Sequence, residues 1–213
     1  MSRPLTFLLG LVLAVPLSSF GGALHVTLAD NKGKPVEDAV VSLVKTDGPM
    51  PAPVPLAHVE ITQQGQQFSP YVTVITVGTP VVFPNKDTVQ HHVYSLSKPK
   101  KFELPLYAPG KAETIVFDQP GLVAIGCNIH DWMAAYLVVL PTPWFAKTDA
   151  QGAATIEAPA GSYRLEIWHP RMAGPVTKSV VLTDGAGDPL AITLLLKPDR
   201  RVRRAPDGKS TGY

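Results

Sequence analysis

The chain has 213 residues, 45% of them apolar and 17% charged, with a formal net charge of +2. These are the proportions of a globular protein, long enough for one large or two small domains, and the small net charge argues for no particular partner. A single cysteine, Cys127, excludes an internal disulfide and a binuclear thiolate-bridged metal centre, which needs two.

The chain opens with Arg3, an apolar run from Leu5 to Leu17, and small residues over Ser18–Ala23. That order is the pattern of a secretory signal peptide, expected over residues 1–23 with cleavage after Ala23. The run is too short for a comfortable membrane span; an uncleaved N-terminal anchor is the alternative. Export to the periplasm follows, and it disfavours a nucleic-acid partner.

Strand patterns dominate thereafter, and no long helix is predicted. Leu24–Leu28 alternates apolar and polar residues, and Ala39–Val44 is β-branched and apolar. Between them Asp30-Asn31-Lys32-Gly33-Lys34-Pro35 carries turn chemistry. The proline ladder from Pro49 to Pro55 reads as an extended linker. Further strands are predicted over Val59–Thr62, Tyr71–Val77 and Tyr136–Leu140, and Pro141-Thr142-Pro143 closes this middle segment.

Within it lies Cys127-Asn128-Ile129-His130-Asp131-Trp132-Met133, where a thiolate, an imidazole and a thioether fall within seven residues. A histidine pair, His91-His92, stands upstream. Two histidines, one thiolate and a weak axial methionine form the donor set of a mononuclear blue-copper electron-transfer site, and the soft sulfur ligands suit copper better than zinc. A strand ending at Cys127, followed by a tight loop, lets Cys127 and His130 share a plane while Met133 approaches from the axis. The remaining in-plane histidine must then come from another strand. Adjacent strand residues face opposite ways, so only one of His91 and His92 can bind. A lone cysteine is more often a small core residue, a reading that loses weight once His130 and Met133 are added.

Residues 59–141 resemble a cupredoxin. Val82-Phe83-Pro84-Asn85 through His91-His92-Val93 is similar to the family's strand leading through an asparagine to the first histidine ligand. Phe117-Asp118-Gln119-Pro120-Gly121 through Gly126-Cys127 is similar to its approach to the cysteine, and Cys-x-x-His-x-x-Met is the short loop of amicyanins. The chain also resembles proteins labelled methylamine utilization proteins. The resemblance implies a Greek-key β-sandwich, a single type 1 copper held by His91, Cys127, His130 and Met133, and electron transfer rather than catalysis. It further implies a redox partner, such as a c-type cytochrome or a dehydrogenase, docking near His130. Two positions depart from the family: His92 replaces the asparagine that braces the ligand loop, and Asp131 adds a negative charge beside the presumed electron port. Trp132 fits either packing beneath the loop or a surface patch. A redox enzyme with an open copper position and a copper storage or delivery protein are the alternatives.

The later segment, residues 142–197, is strand-rich again. Thr148-Asp149-Ala150-Gln151-Gly152 precedes one predicted strand and Pro159-Ala160-Gly161-Ser162-Tyr163 another. With Gly33–Val41, these resemble the carboxypeptidase-regulatory or transthyretin-like, immunoglobulin-like sandwich. The expected fold is therefore all-β: a cupredoxin domain over 56–141, inserted in or adjoining a second small sandwich formed by 24–55 and 142–197. Insertion at a loop tip is favoured, and a tandem arrangement is the alternative. The tail, 198–213, carries Arg200, Arg201, Arg203, Arg204 and Lys209 and reads as disordered; it offers weak surface contact with anionic lipid or an acidic protein. His25, His58 and His169 read as structural or surface residues, and Lys98–Lys101 as a solvated loop with docking of an acidic partner as its alternative.

Overall fold

The computed structural model describes residues 21–199, all strands and connections with no helix among them. All but the first two residues of the expected basic tail and all but the last three of the expected signal peptide lie outside the described residues. Gly22 and Ala23 are already paired in the first strand, so a cut after Ala23 takes two residues off its start.

In chain order the strands are β1 (Gly22–Asp30), β2 (Val40–Lys45), β3 (Val59–Glu60), β4 (Thr62–Gln63), β5 (Phe68–Ser69), β6 (Val72–Thr76), β7 (Thr79–Pro84), β8 (His91–Ser95) and β9 (Phe102–Tyr107). They continue with β10 (Ala112–Phe117), β11 (Gly121–Gly126), β12 (Ala134–Leu140), β13 (Phe145–Lys147), β14 (Ala153–Ala158), β15 (Gly161–Trp168), β16 (Val176–Leu182), β17 (Gly185–Ala186) and β18 (Leu190–Leu194).

Two bodies emerge from the pairing. The first joins a five-stranded sheet, β6-β12-β11-β8-β9, to a three-stranded one, β10-β7-β3, with β4 and β5 as a separate hairpin. Alternation puts Val81 and Phe83 of β7 and Val123 and Ile125 of β11 inside. They meet Ile61, Ile75, Phe117 and Leu137 in one core that also contains Cys127 and Met133. Each fully buried side chain of this kind contributes about 1.5–3 kcal/mol of transfer free energy.

The second body is assembled from both sides of residues 59–140. β1 pairs with β14 and with β18, and β2 pairs with β13 and β15. Leu24, Val26 and Leu28 of β1 pack on Leu43, Tyr163, Leu165 and Ile167 in its core. Gly152 shows how tightly the turn before β14 is built. Its φ is +72°, and an added Cβ would stand 2.3 Å from Leu28 O.

β12 is apolar at nearly every position because both of its faces are covered, an arrangement that removes the usual alternation. Ala135, Leu137 and Val139 face the first core. Val138 and Leu140, with Val72, meet Val40 of β2 in a third cluster, flanked by Tyr71, Tyr136, Phe145 and Trp168, where the two bodies touch. Lys147 crosses the same seam: its ammonium lies 2.7 Å from Asp38 Oδ1 and donates to Val72 O at 3.1 Å.

Candidate metal centre

Three donor atoms, one each from His91, Cys127 and His130, lie within 4.8 Å of one another. Nδ1 of His91 is 3.9 Å from Cys127 Sγ, and Nδ1 of His130 is 3.6 Å from it. The two rings stand 4.9 Å apart between centroids.

Each side chain arrives by a different local device. His91 opens β8, and the β8–β9 ladder shifts register between His91 and Val93, so that the step from His91 to Val93 lies opposite the longer step from Tyr107 to Leu104. An irregularity of this kind re-aims a side chain at a sheet edge. The connection from β7 is folded by Asn85, which is buried. Its amide donates to Val89 O at 2.9 Å and Tyr107 O at 3.2 Å, and its oxygen accepts the Asp87 N–H at 3.0 Å. The asparagine-to-histidine spacing is therefore a self-bonded turn. Tyr107 is held below it, donating to Phe83 O at 2.8 Å and accepting from the Gln63 amide; burial pushes its phenol up to about 12. Cys127 follows Gly126, the last residue of β11. After it the loop turns once, Met133 N–H donating to His130 O at 2.9 Å, before β12 begins.

His91 and Cys127 are buried, and His130 is half-buried. Met133 is buried in the same core cluster as Cys127. His92 points the other way: its Nε2 meets Glu103 Oε1 at 2.8 Å, and its Nδ1 has no hydrogen-bond partner among the described residues. At this position it is the backbone of His92 that serves the site, because its N–H and that of Ile129 both donate to the cysteine sulfur. Trp132 is half-buried against the core, with its indole N–H donating to Gln66 O at 3.0 Å and its ring 5.2 Å from that of His130. Ile129 and Ala134 are exposed beside it.

Burial opposes charge on Cys127 and would raise its thiol, but the hydrogen bond with His91 and those two N–H groups outweigh it and hold the thiol below its ordinary value. Burial also opposes charge on His91, yet its bonds to Cys127 and Asp87 leave it above the ordinary imidazole value. His130 lies below that value, first through burial and then through the neighbouring charge of His91. A lowered thiol beside two imidazole nitrogens is a ready N2S donor set, which fits copper by ligand softness.

The sequence reading passed over Asp87. Its Oδ2 is 2.7 Å from His91 Nε2, and its carboxylate accepts the N–H groups of Gly65 and Gln66 at 2.7 and 2.8 Å. Burial raises this carboxyl, but those bonds outweigh it and hold it below the usual range. The available hint was an acidic residue four positions before His91 within the folded-back connection. Among the other histidines, His169 is buried and accepts the Arg171 N–H at 3.2 Å, while His25 and His58 bond to Thr155 and Glu60. Lys100 of the lysine cluster pairs with Asp118 at 3.2 Å.

No family model matches the chain, and no curated protein sequence matches it. Solved structures do match part of the chain. A purple cupredoxin from Nitrosopumilus maritimus aligns at 26% identity over 38% of this chain and 99% of its own, with a TM-score of 0.36. A Cu(I) amicyanin variant aligns at 16% identity over 47% of this chain and 98% of its own, with a TM-score of 0.37. A Cu-containing nitrite reductase from Thermus scotoductus SA-01 aligns at 28% identity over 46% of this chain and 25% of its own, with a TM-score of 0.37. These structural neighbours are cupredoxins.

Proposed function

We propose that the chain is a mononuclear blue-copper electron carrier. The observation that carries this reading is the convergence of His91 Nδ1, His130 Nδ1 and Cys127 Sγ at one buried point. His91, Cys127 and His130 would hold the ion, with Met133 as a fourth donor. When bound, copper supplies one-electron exchange between its +1 and +2 states.

The residues around it supply the rest. Cys127 binds as a thiolate, favoured by the N–H groups of His92 and Ile129. His91 is held from behind by Asp87, and Met133 packs in the same core cluster as Cys127. His130 is the ligand nearest solvent, and the exposed Ile129 and Ala134 with Trp132 make a small apolar rim around it. Such a rim suits a brief encounter with a redox protein such as a c-type cytochrome or a dehydrogenase. Export to the periplasm, inferred from residues 1–23, is part of this proposal, as is the view that residues 56–141 are an insertion in the second sandwich.

A second reading, a redox enzyme, is favoured by one feature. A cleft of about 960 Å³ lies between the two bodies, with Trp132 and Met133 on one wall and Arg171 and Lys197 on the other. A small oxidant or reductant entering there would approach the Met133 side.

Loading the purified protein with Cu(II) and recording visible absorption and electron paramagnetic resonance spectra tests the proposal. An intense blue band with narrow parallel hyperfine splitting, absent from Cys127→Ala, is the expected result. A colourless or red protein that turns over peroxide or nitric oxide supports the enzyme instead, and ready loss of copper to a chelator supports storage or delivery.

A further inference from the structure

We infer that Asp87 is a positioning residue for this centre: its carboxylate fixes His91 as the Nε2–H tautomer, turns Nδ1 toward Cys127, and lowers the reduction potential of copper held there. The statement about potential rests on the copper reading above; the statement about the ring does not.

A neutral imidazole has one N–H, and an ionised carboxylate can only accept. His91 Nε2 lies 2.7 Å from Asp87 Oδ2, so the proton sits on Nε2. The lone pair is then on Nδ1, the atom facing Cys127 Sγ at 3.9 Å. The His91 side chain is fully buried and that of Asp87 is 12% exposed, so water competes little for this bond.

Asp87 is itself held in place. Oδ1 accepts the Gly65 N–H at 2.7 Å, Oδ2 accepts the Gln66 N–H at 2.8 Å, and its own N–H donates to Asn85. Gly65 and Gln66 have φ of +61° and +52°. Successive N–H groups in such a turn point into one concavity that favours an anion. A non-glycine residue there is uncommon and persists only where its surroundings fix it. The same turn reaches the other arm of the site, since Gln66 O accepts the Trp132 indole N–H at 3.0 Å. Trp132 lies between His130 and Met133, so one four-residue turn references both ligand-bearing segments. The contrast with the adjacent pair is instructive: Glu103, which meets His92, is 72% exposed and has no such cradle.

A carboxylate behind a ligand imidazole makes the ring a stronger donor and favours the more highly charged metal state. The chain has placed a fixed negative charge behind His91, the more deeply buried of the two histidines.

Two measurements separate the parts of the inference. In the metal-free protein at alkaline pH, nitrogen-15 NMR should show the His91 proton on Nε2, slowly exchanging, and the slow exchange should be lost in Asp87→Asn. A ring protonated at Nδ1 in the unaltered protein overturns the inference, whether or not the variant folds. With copper, D87N should lose about 10–100-fold in Cu(II) affinity and less in Cu(I) affinity, each tenfold difference raising the potential by about 59 mV. A folded D87N with unchanged potential also overturns it. If the unaltered protein takes up no copper, the proposed function fails, and the NMR result alone decides the role of Asp87.

Discussion

The ring of Tyr136 on β12 meets the ring of Trp168 on β15 at 5.6 Å between centroids and an interplanar angle of 59°. Tyr136 also takes the edge of Tyr71 at 5.5 Å. These contacts, with Val40, Val72, Val138 and Leu140, join the body that carries the candidate metal centre to the other. Because Tyr136 lies two residues after Ala134, where the ligand loop ends, the seam lies directly behind that loop.

Trp168→Ala should therefore loosen the join rather than the metal centre. The expected loss is about 1–3 kcal/mol, with thermal unfolding changing from one transition to two. Scanning calorimetry checks this; a single transition at an unchanged midpoint would show that the seam carries no coupling.

Thr148 ties the strands on the two sides of residues 59–140. It is buried, accepts the Ala39 N–H at 2.9 Å and donates to Val36 O at 2.7 Å. Thr148→Val keeps the volume but leaves both backbone groups unpaired, and a buried unpaired group costs about 1–3 kcal/mol. Chemical denaturation should show at least that loss, whereas Thr148→Ser should retain most of the stability. Equal losses in the two variants would remove the hydroxyl from the account.

These two cases show what the sequence could and could not reveal. The turn chemistry around Thr148–Gly152 and the alternation in β1 were legible because each is a local pattern with a local cause. Cys127 and His130 are likewise local, since they sit within one loop, and strand alternation separates His91 from His92; that His91 is the one beside them rests on the resemblance through Asn85, and the structure groups it with Cys127 and His130. Asp87 was not legible: its partners Gly65 and Gln66 are more than twenty residues away, and only the folded hairpin brings their N–H groups to it. Trp132 fits both packing and a surface patch because it is half-buried against the core at the edge of the loop. Its indole N–H is used inside while the neighbouring Ile129 and Ala134 are open to solvent.

Asp131 is exposed in the ligand loop, beside His130. Its negative charge should favour Cu(II), so Asp131→Asn should raise the reduction potential. Salt screens exposed charges over about 10 Å at 0.1 M, so the difference should shrink as salt is added. Voltammetry at low and high ionic strength checks both parts. An unchanged or lowered potential in the variant would sink the claim.

The pKa values of His91 and His130 should shift in opposite directions in the metal-free protein. Burial works against a charged His91, but its bonds to Cys127 and Asp87 prevail and raise its value in the folded state above the ordinary one of about 6.5. It binds its proton more tightly folded than unfolded, so its contribution to stability is complete below about pH 6.5 and is lost as pH rises through the folded value. His130 is the reverse. Burial, and then the charge on His91, lower its value. Its contribution is present above about pH 6.5 and is lost as pH falls through the folded value. Proton-carbon NMR of the ring signals should give His130 the lower midpoint and His91 the higher. The same order bears on the ion: His130 keeps its lone pair into mildly acidic solution, so the solvent-facing ligand resists protonation there. Midpoints in the opposite order, or two rings that both titrate near the ordinary value, would mean that the Asp87–His91–Cys127 chain of contacts does not govern the charge of the site.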